Sequence, residues 1–254
     1  MTEFQAFQKI PRLSRGCIIT EKIDGTNAQM FIDFVGERGA GKLALVNNDP
    51  NSPLFVRAGS RTRWLTPDND NFGFAGWVYD HADELALLGP GRHFGEWWGK
   101  GIQRGYGLSE RRFSLFNVSR WIDTNMSTCP EGYILPLDAA PAPVCCHVVP
   151  VLYQGPFSVA AADAQIAHLQ CNGSIAAPGF MKPEGVVVFH EASGHLYKKT
   201  CEHDGGPKNV HHLRAEGKLP RSPQARPYDP NCSGRRKGLT APFFGVFKRK
   251  TDDI

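Results

Sequence analysis

Ala28, Met30, Ile32 and Phe34 alternate with Gln29, Phe31 and Asp33, a period of two that commits residues 28–34 to a strand with one buried face. Before this strand comes Asp24-Gly25, a pair that readily supplies the positive φ angles of a tight turn. Before that lies the apolar run of residues 17–20. A β-hairpin turning on Asp24-Gly25 is the first expectation. It leaves Glu21, Lys22 and Asn27 around the turn without a purpose.

Further strands and turns follow. Residues 36–42 read as a turn and 43–46 as a returning strand. Residues 72–88 predict a long helix that stops at the Gly-Pro-Gly of 89–91. Strand-like stretches occupy 92–98, 112–118 and 145–153, and residues 123–143 read as a polar, proline-rich surface loop. Adjacent Trp97 and Trp98 must point to opposite faces, one toward the core. Ser158 can cap a helix running to about Gln170, with Gly173 just past its end. Residues 184–200 predict a second hairpin, turning on the Glu-Ala-Ser-Gly of 191–194. The class is α+β, dominated by antiparallel strands.

Hydrophobic content of 41% and charged content of 21% are ordinary for a soluble globular chain. No apolar run approaches the ~18 residues a membrane span needs, and the first residues lack the shape of a signal peptide. Seven cysteines, with Cys145 and Cys146 adjacent, form an odd and irregular set. They argue against a disulfide framework and for a reducing, cytoplasmic location. The net charge of +4 is unevenly placed: residues 201–254 hold 11 Lys/Arg against 6 Asp/Glu, leaving 18 against 19 in residues 1–200. A basic, proline-broken tail suits either a polyanionic partner or a solvated face.

Charges recur where strands end. Glu21 and Lys22 close one strand, Glu96 sits inside Phe-Gly-Glu-Trp-Trp, Glu184 opens a strand, and Lys198 and Lys199 close its partner. Charges placed where burial is expected are costly unless paired or bound, so this recurrence suggests one shared polar site. Covalent catalysis by an amine is chemistry that uses such a set. A lysine attacks phosphorus only when neutral, which nearby cations or desolvation favour. A carboxylate such as Glu184 could hold a metal, with Mg²⁺ preferred for its affinity for oxygen ligands and phosphates.

The ordered motifs E-K-I-D-G-T-N, S-R, F-G-E, F-S-L-F-N-V, E-G-V-V-V and L-Y-K-K, spanning Glu21 to Lys199, resemble the series of the covalent lysine nucleotidyltransferases. That superfamily contains ATP-dependent DNA ligases, RNA ligases and capping guanylyltransferases. Thr26-Asn27 after the glycine resembles the RNA-ligase-2-like branch rather than DNA ligases or capping enzymes. The resemblance implies a nucleotidyltransferase (adenylation) domain over 1–200, with antiparallel sheets flanked by helices and the nucleotide between them. Residues 201–254 would be a basic segment packed on or extending it. It implies ATP and Mg²⁺ or Mn²⁺ as cofactors and RNA as partner, with DNA or an RNA/DNA nicked duplex as alternatives, in a monomeric protein.

Carried over by position, Lys22 would become lysyl-AMP and Glu21 would read the adenine edge. Asn27 would help place the 5′-phosphate end. Arg61, with Arg63 as competitor, would contact phosphate or ribose; Glu96 would hold the ribose hydroxyls and Phe116 would stack on adenine. Glu184 would support the metal, and Lys198 would bind the α-phosphate and stabilise charge developing there. The rival functions are a DNA or dual-specificity ligase, a capping-type guanylyltransferase, and an inactive nucleotide- or RNA-binding relative.

The sequence departs from the family in two places. The last motif usually spaces its lysines by one residue, whereas Lys198 and Lys199 are adjacent, so Lys198 matches and Lys199 is the weaker ATP contact. Many relatives carry a further domain after this motif; the 54 residues here predict a minimal form. Gly99–Gly107 lacks P-loop spacing and predicts a mobile loop beside the site, from which Lys100 and Arg104 could touch the nucleic-acid backbone. Cys201, His203, His211, His212 and Cys232 are candidate zinc ligands, although their spacing fits no standard finger.

Overall fold

The structure is a computed structural model, and it describes residues 3–33, 42–45 (backbone only), 55–125 and 139–202. All lie within a compact unit, Met1–Lys208. The strands are β1 (Gly16–Lys22), β2 (Thr26–Asp33), β3 (Lys42–Leu45), β4 (Phe55–Ser60) and β5 (Trp64–Leu65). Helices α1 (Phe74–Asp80) and α2 (Ala82–Leu85) follow, then β6 (Gly91–Gly99), β7 (Arg111–Leu115), β8 (Trp121–Ile122) and β9 (Ala140–Pro141). The order closes with β10 (Cys146–Val148), β11 (Val151–Pro156), α3 (Val159–Asn172), β12 (Gly185–His190) and β13 (His195–Thr200).

Two main sheets result. One runs β11-β1-β12-β13 and is antiparallel throughout. The other runs β10-β7-β6-β2-β4-β3, with β5 paired to β4 and the single pair β7·β10 parallel. The α+β class is as expected.

The first hairpin is not. β1 and β2 belong to different sheets, and Ile23–Gly25 is a crossover between them. Gly25 does not adopt positive φ. It is glycine because a Cβ there would lie 2.5 Å from the Trp97 carbonyl oxygen and 2.7 Å from Trp98 Cβ. Close approach, not turn geometry, selects it. The second hairpin is as predicted: β12 pairs with β13 from Gly185↔Thr200 to His190↔His195, and Gly194 takes φ 67° in the turn.

The helix expected over 72–88 is broken. Asp70 caps α1 by accepting from the Ala75 and Gly76 amides at 2.8 and 3.1 Å. At His81 the backbone leaves the helix (φ −112°, ψ 19°), and a 3₁₀ turn, Ala86–Leu88, stops at Gly89. The second predicted helix holds: Ser158 Oγ accepts from the Ala161 amide at 3.0 Å, and Gly173 ends α3 at φ 82°. Its Ala162, Ile166 and Leu169 pack on Cys17, Ile19, Val186 and Val188.

The sheet of β2 and β6 is covered on both sides near the crossover. Trp97 packs with Phe74, Trp77 and Phe113 on the α1 side, while Trp98 meets Tyr106 edge-on at 5.0 Å. Both tryptophans are therefore core, whereas the sequence assigned only one of them there. The Gly99–Gly107 loop is wound into successive turns, not left loose. Gly99, Ile102 and Gly105 carbonyls accept from Ile102, Gly105 and Leu108 amides, and Ile102 and Tyr106 are buried. Among the described residues no helix is long and apolar enough to cross a membrane.

Candidate active site

Lys22 is the last residue of β1, and its register partner on β12 is Gly185. That pairing sets the Lys22 ammonium beside Glu184, and Nζ donates to Glu184 Oε2 at 2.5 Å. The glutamate side chain is 3% exposed and the lysine 23%. From the other sheet, β2 and β6 place Asn27 opposite Glu96. Glu96 Oε1 accepts from the Gly25 amide at 3.1 Å, so the crossover is tied to both sheets.

Burial pushes Glu96 from the ordinary 4.5 up to about 7; Lys22 and the Gly25 amide pull against this, while Glu184 and Asp24 add to it. An amine and three carboxylates, Lys22 with Glu184, Glu96 and Asp24, thus act on one another's charge around the crossover. They also predict a pH effect. Folded Glu96 keeps its proton to about 7, whereas the unfolded chain loses it near 4.5, so between these values the folded state binds more protons. Glu96 therefore makes the protein less stable as pH rises through that window. Urea midpoints measured from about pH 5 to 8 should fall in wild type and flatten in Glu96→Gln. Equal slopes in the two proteins would refute this.

Asp24 and the glycine-rich loop complete the frame. The Asp24 amide donates to the Tyr106 hydroxyl at 2.8 Å, and Arg104 Nε donates to Asp24 Oδ2 at 3.0 Å. Arg104 Nη1 also donates to the carbonyls of Lys182 and Pro183, just ahead of Glu184. Arg104 thus clasps the crossover to the Glu184 segment. Sequence reasoning assigns Asp24 a turn and passes over Tyr106. Asp24 was visible inside K-x-D-G, but nothing local links it to a tyrosine 82 residues away.

The adjacent lysines part company. Alternation and register put Lys198 in the row of Thr20 and Val187, on the face that carries Lys22. Lys199 falls in the row of Glu21 and Val186, on the α3 face, and pairs with Asp163. The structure does not bring Lys199 to the cluster. Glu21 is likewise on the α3 face and 1% exposed. Its Oε2 accepts from the Ile175 and Ala176 amides at 2.8 and 2.9 Å, while Oε1 is buried without a hydrogen-bond partner. Burial raises the Glu21 pKa, against the pull of the nearby Ser174 hydroxyl and those two amides.

Arg61 is exposed, one residue beyond the Ala28↔Ser60 pair where β4 ends. Arg63, its competitor, is held by the Asn69 and Asp70 carbonyls. Phe116 follows β7, is partly exposed, and its amide donates to the Phe94 carbonyl at 3.0 Å. The Lys100 side chain is exposed; its backbone carries the pairing to Glu110. Of the zinc candidates, Cys201 is half-buried with its thiol pKa raised by burial. His203, His211, His212 and Cys232 lie outside the described residues, as do Phe34 and most of the 123–143 stretch.

Two main sheets, with an amine and carboxylates gathered where the chain crosses between them, define an α+β protein. The RNA ligase family model matches residues 15–200, and the chain belongs to that family. In structure it is similar to a Naegleria gruberi RNA ligase variant with ATP and Mn, at 14% identity and TM-score 0.44, covering 81% of this chain and 52% of that one. A variant of that ligase with AMP and Mn matches at 14% identity and TM-score 0.42, covering 82% and 53%. An apo variant matches at 15% identity and TM-score 0.40, covering 81% and 53%. The chain thus spans about half the length of the solved ligases it matches. No curated protein matches it.

Proposed function

We propose that this chain is an ATP-dependent RNA ligase that works through a lysyl-AMP on Lys22. The observation that carries this reading is the Lys22 amine at a strand end, 2.5 Å from Glu184 and close enough to Glu96 to shift its protonation. Family membership over residues 15–200 supports it. In the first step the Lys22 nitrogen bonds to the α-phosphorus, the α–β phosphoanhydride breaks, and pyrophosphate leaves as the amine gives up a proton. An amine attacks through a free electron pair, so the Lys22 ammonium has to give up a proton first. The adenylyl group then passes to an RNA 5′-phosphate. Finally a 3′-hydroxyl attacks that phosphate, loses its proton, and AMP leaves.

Residues 1–200 form the adenylation domain in this reading, and the basic charge of 201–254 supports a role against phosphates. Asn27 and Arg61 would meet phosphate, Glu96 the ribose hydroxyls, Phe116 the base, and Lys198 the α-phosphate. Glu21 would read the adenine edge as the family resemblance implies, which requires the α3 face around its buried Oε1 and the Ser174 hydroxyl to open. Among the described residues no group of three His, Cys, Asp or Glu could hold a metal alone. Glu184 nevertheless fits Mg²⁺ or Mn²⁺, because such ions bind through one or two carboxylates and take their remaining ligands from phosphates and water. The bound ion would neutralise phosphate charge. Free cysteines at every described cysteine position support a cytoplasmic setting, and joining RNA ends is the chemistry of RNA repair.

The test is ATP labelled on the α-phosphate, with Mg²⁺ or Mn²⁺. Wild type should retain covalent label and seal nicks that carry RNA on the 3′-hydroxyl side. Labelling by GTP instead, no label at all, or sealing of DNA alone would overturn the reading.

A further inference from the structure

The register of the second sheet arranges one face of β2, β6 and β4 in rows. Asn27 and Glu96 form the first; Gln29, Phe94 and Gly59 the second; Phe31, Arg92 and Arg57 the third. The third row lies four residues from the first along the strands, or ~13 Å, on the same face as Glu96. Trp64 of β5 joins it from beside Gly59. A Cβ on Gly59 would stand 3.0 Å from Gln29 Cγ and 3.2 Å from Trp64 Cε3, so the missing side chain is what lets the indole lie down there.

On this ground the arginines are laid over rings. Arg92 Cζ is 5.0 Å from the Phe31 centroid and 5.7 Å from that of Trp64; Arg57 Cζ is 5.8 Å from Trp64. Arg92 is exposed, and among the described residues it donates only to Gln29 Oε1, at 3.3 Å. Among the described residues no carboxylate pairs with it, and Arg57 has only Asp33 at 3.8 Å. An ordinary solvated arginine keeps its head in water or on a carboxylate. Here the guanidinium lies over an aromatic layer, and among the described residues no carboxylate balances its charge. That combination of planar stacking surface and positive charge is what single-stranded nucleic acids bind, through base stacking on rings or guanidinium planes and neutralisation of phosphates.

We propose that Arg92, lying across Phe31 and Trp64 with Arg57 beside it, stacks a nucleobase of a single-stranded end held on the Glu96 face. The inference rests on the ligase reading for its orientation. At ~3.4 Å per stacked nucleotide, the ~13 Å offset sets the stacked base about four nucleotides from the reacting end.

A ten-nucleotide 5′-phosphorylated RNA carrying 2-aminopurine at the fourth position is the probe, with the same sequence as DNA and as duplex RNA for comparison. Wild type should quench 2-aminopurine in the single strands and not in the duplex. Arg92→Ala should weaken binding about tenfold or more and abolish the quench. Arg92→Lys should keep the salt dependence while losing the quench, because an ammonium carries charge without a stacking plane. Label transfer from ATP to Lys22 should be unchanged in both, which separates the two claims. Normal labelling with wild-type binding and quench in Arg92→Ala sinks the stacking site alone. Quenching by wild type that never labels sinks the ligase reading and leaves the stacking site standing.

Discussion

Lys22→Arg should fold normally and take no label from ATP. An arginine keeps a cation against Glu184, so the ion pair that spans 162 residues is retained. A guanidinium does not deprotonate in proteins, so it offers no electron pair to phosphorus. Lys22→Ala should also be unlabelled, but it strips the cation from a carboxylate that is 3% exposed and should cost about 1–3 kcal/mol. The pair of variants separates nucleophile from structural partner. Thermal melts and labelling on the same samples check it. Label on Lys22→Arg at wild-type level would mean that another residue carries the adenylate and that the mechanism is wrong.

Gly25→Ala should destabilise the protein by about 3 kcal/mol. A methyl there meets the Trp97 carbonyl oxygen at 2.5 Å, Trp98 Cβ at 2.7 Å and Glu96 Cγ at 3.0 Å. Neither tryptophan can yield, since Trp97 and Trp98 are 2% and 1% exposed and packed on opposite faces. The melting temperature should fall by about 6–12 °C, and labelling should fall with it as the Gly25–Glu96 hydrogen bond lengthens. Gly76→Ala is the control: its Cβ would have only Asp70 Oδ2 nearby, at 3.9 Å, inside α1. It should be neutral or stabilise by about 0.5–1 kcal/mol. If the two variants melt alike, close approach is not why position 25 is glycine.

Much of this was legible in the chain because it is local. Alternation along β2 named Ala28, Met30 and Ile32 as its buried face, and all three are buried. Ser158 and Gly173 marked the ends of α3 because capping involves residues within a turn of each other. Even the choice between Lys198 and Lys199 was latent, since neighbours on a strand must face opposite ways. The helix over 72–88 was misjudged for a related reason. Its apolar run is continuous, but the backbone leaves the helix at His81, whose ring and amide both meet the Trp77 carbonyl, and composition does not display that geometry.

Sequence by itself determined which residues could do chemistry, which faces they shared along one strand, and which family they belong to. Only the tertiary structure decided that β1 and β2 part into different sheets, that Glu184 meets Lys22, and that Arg104 clasps Asp24. The reason is physical: period and capping are set within a few residues of chain, whereas strand partners are chosen by what can pack. Here two tryptophans and a backbone carbonyl leave room at residue 25 for a hydrogen atom and nothing larger.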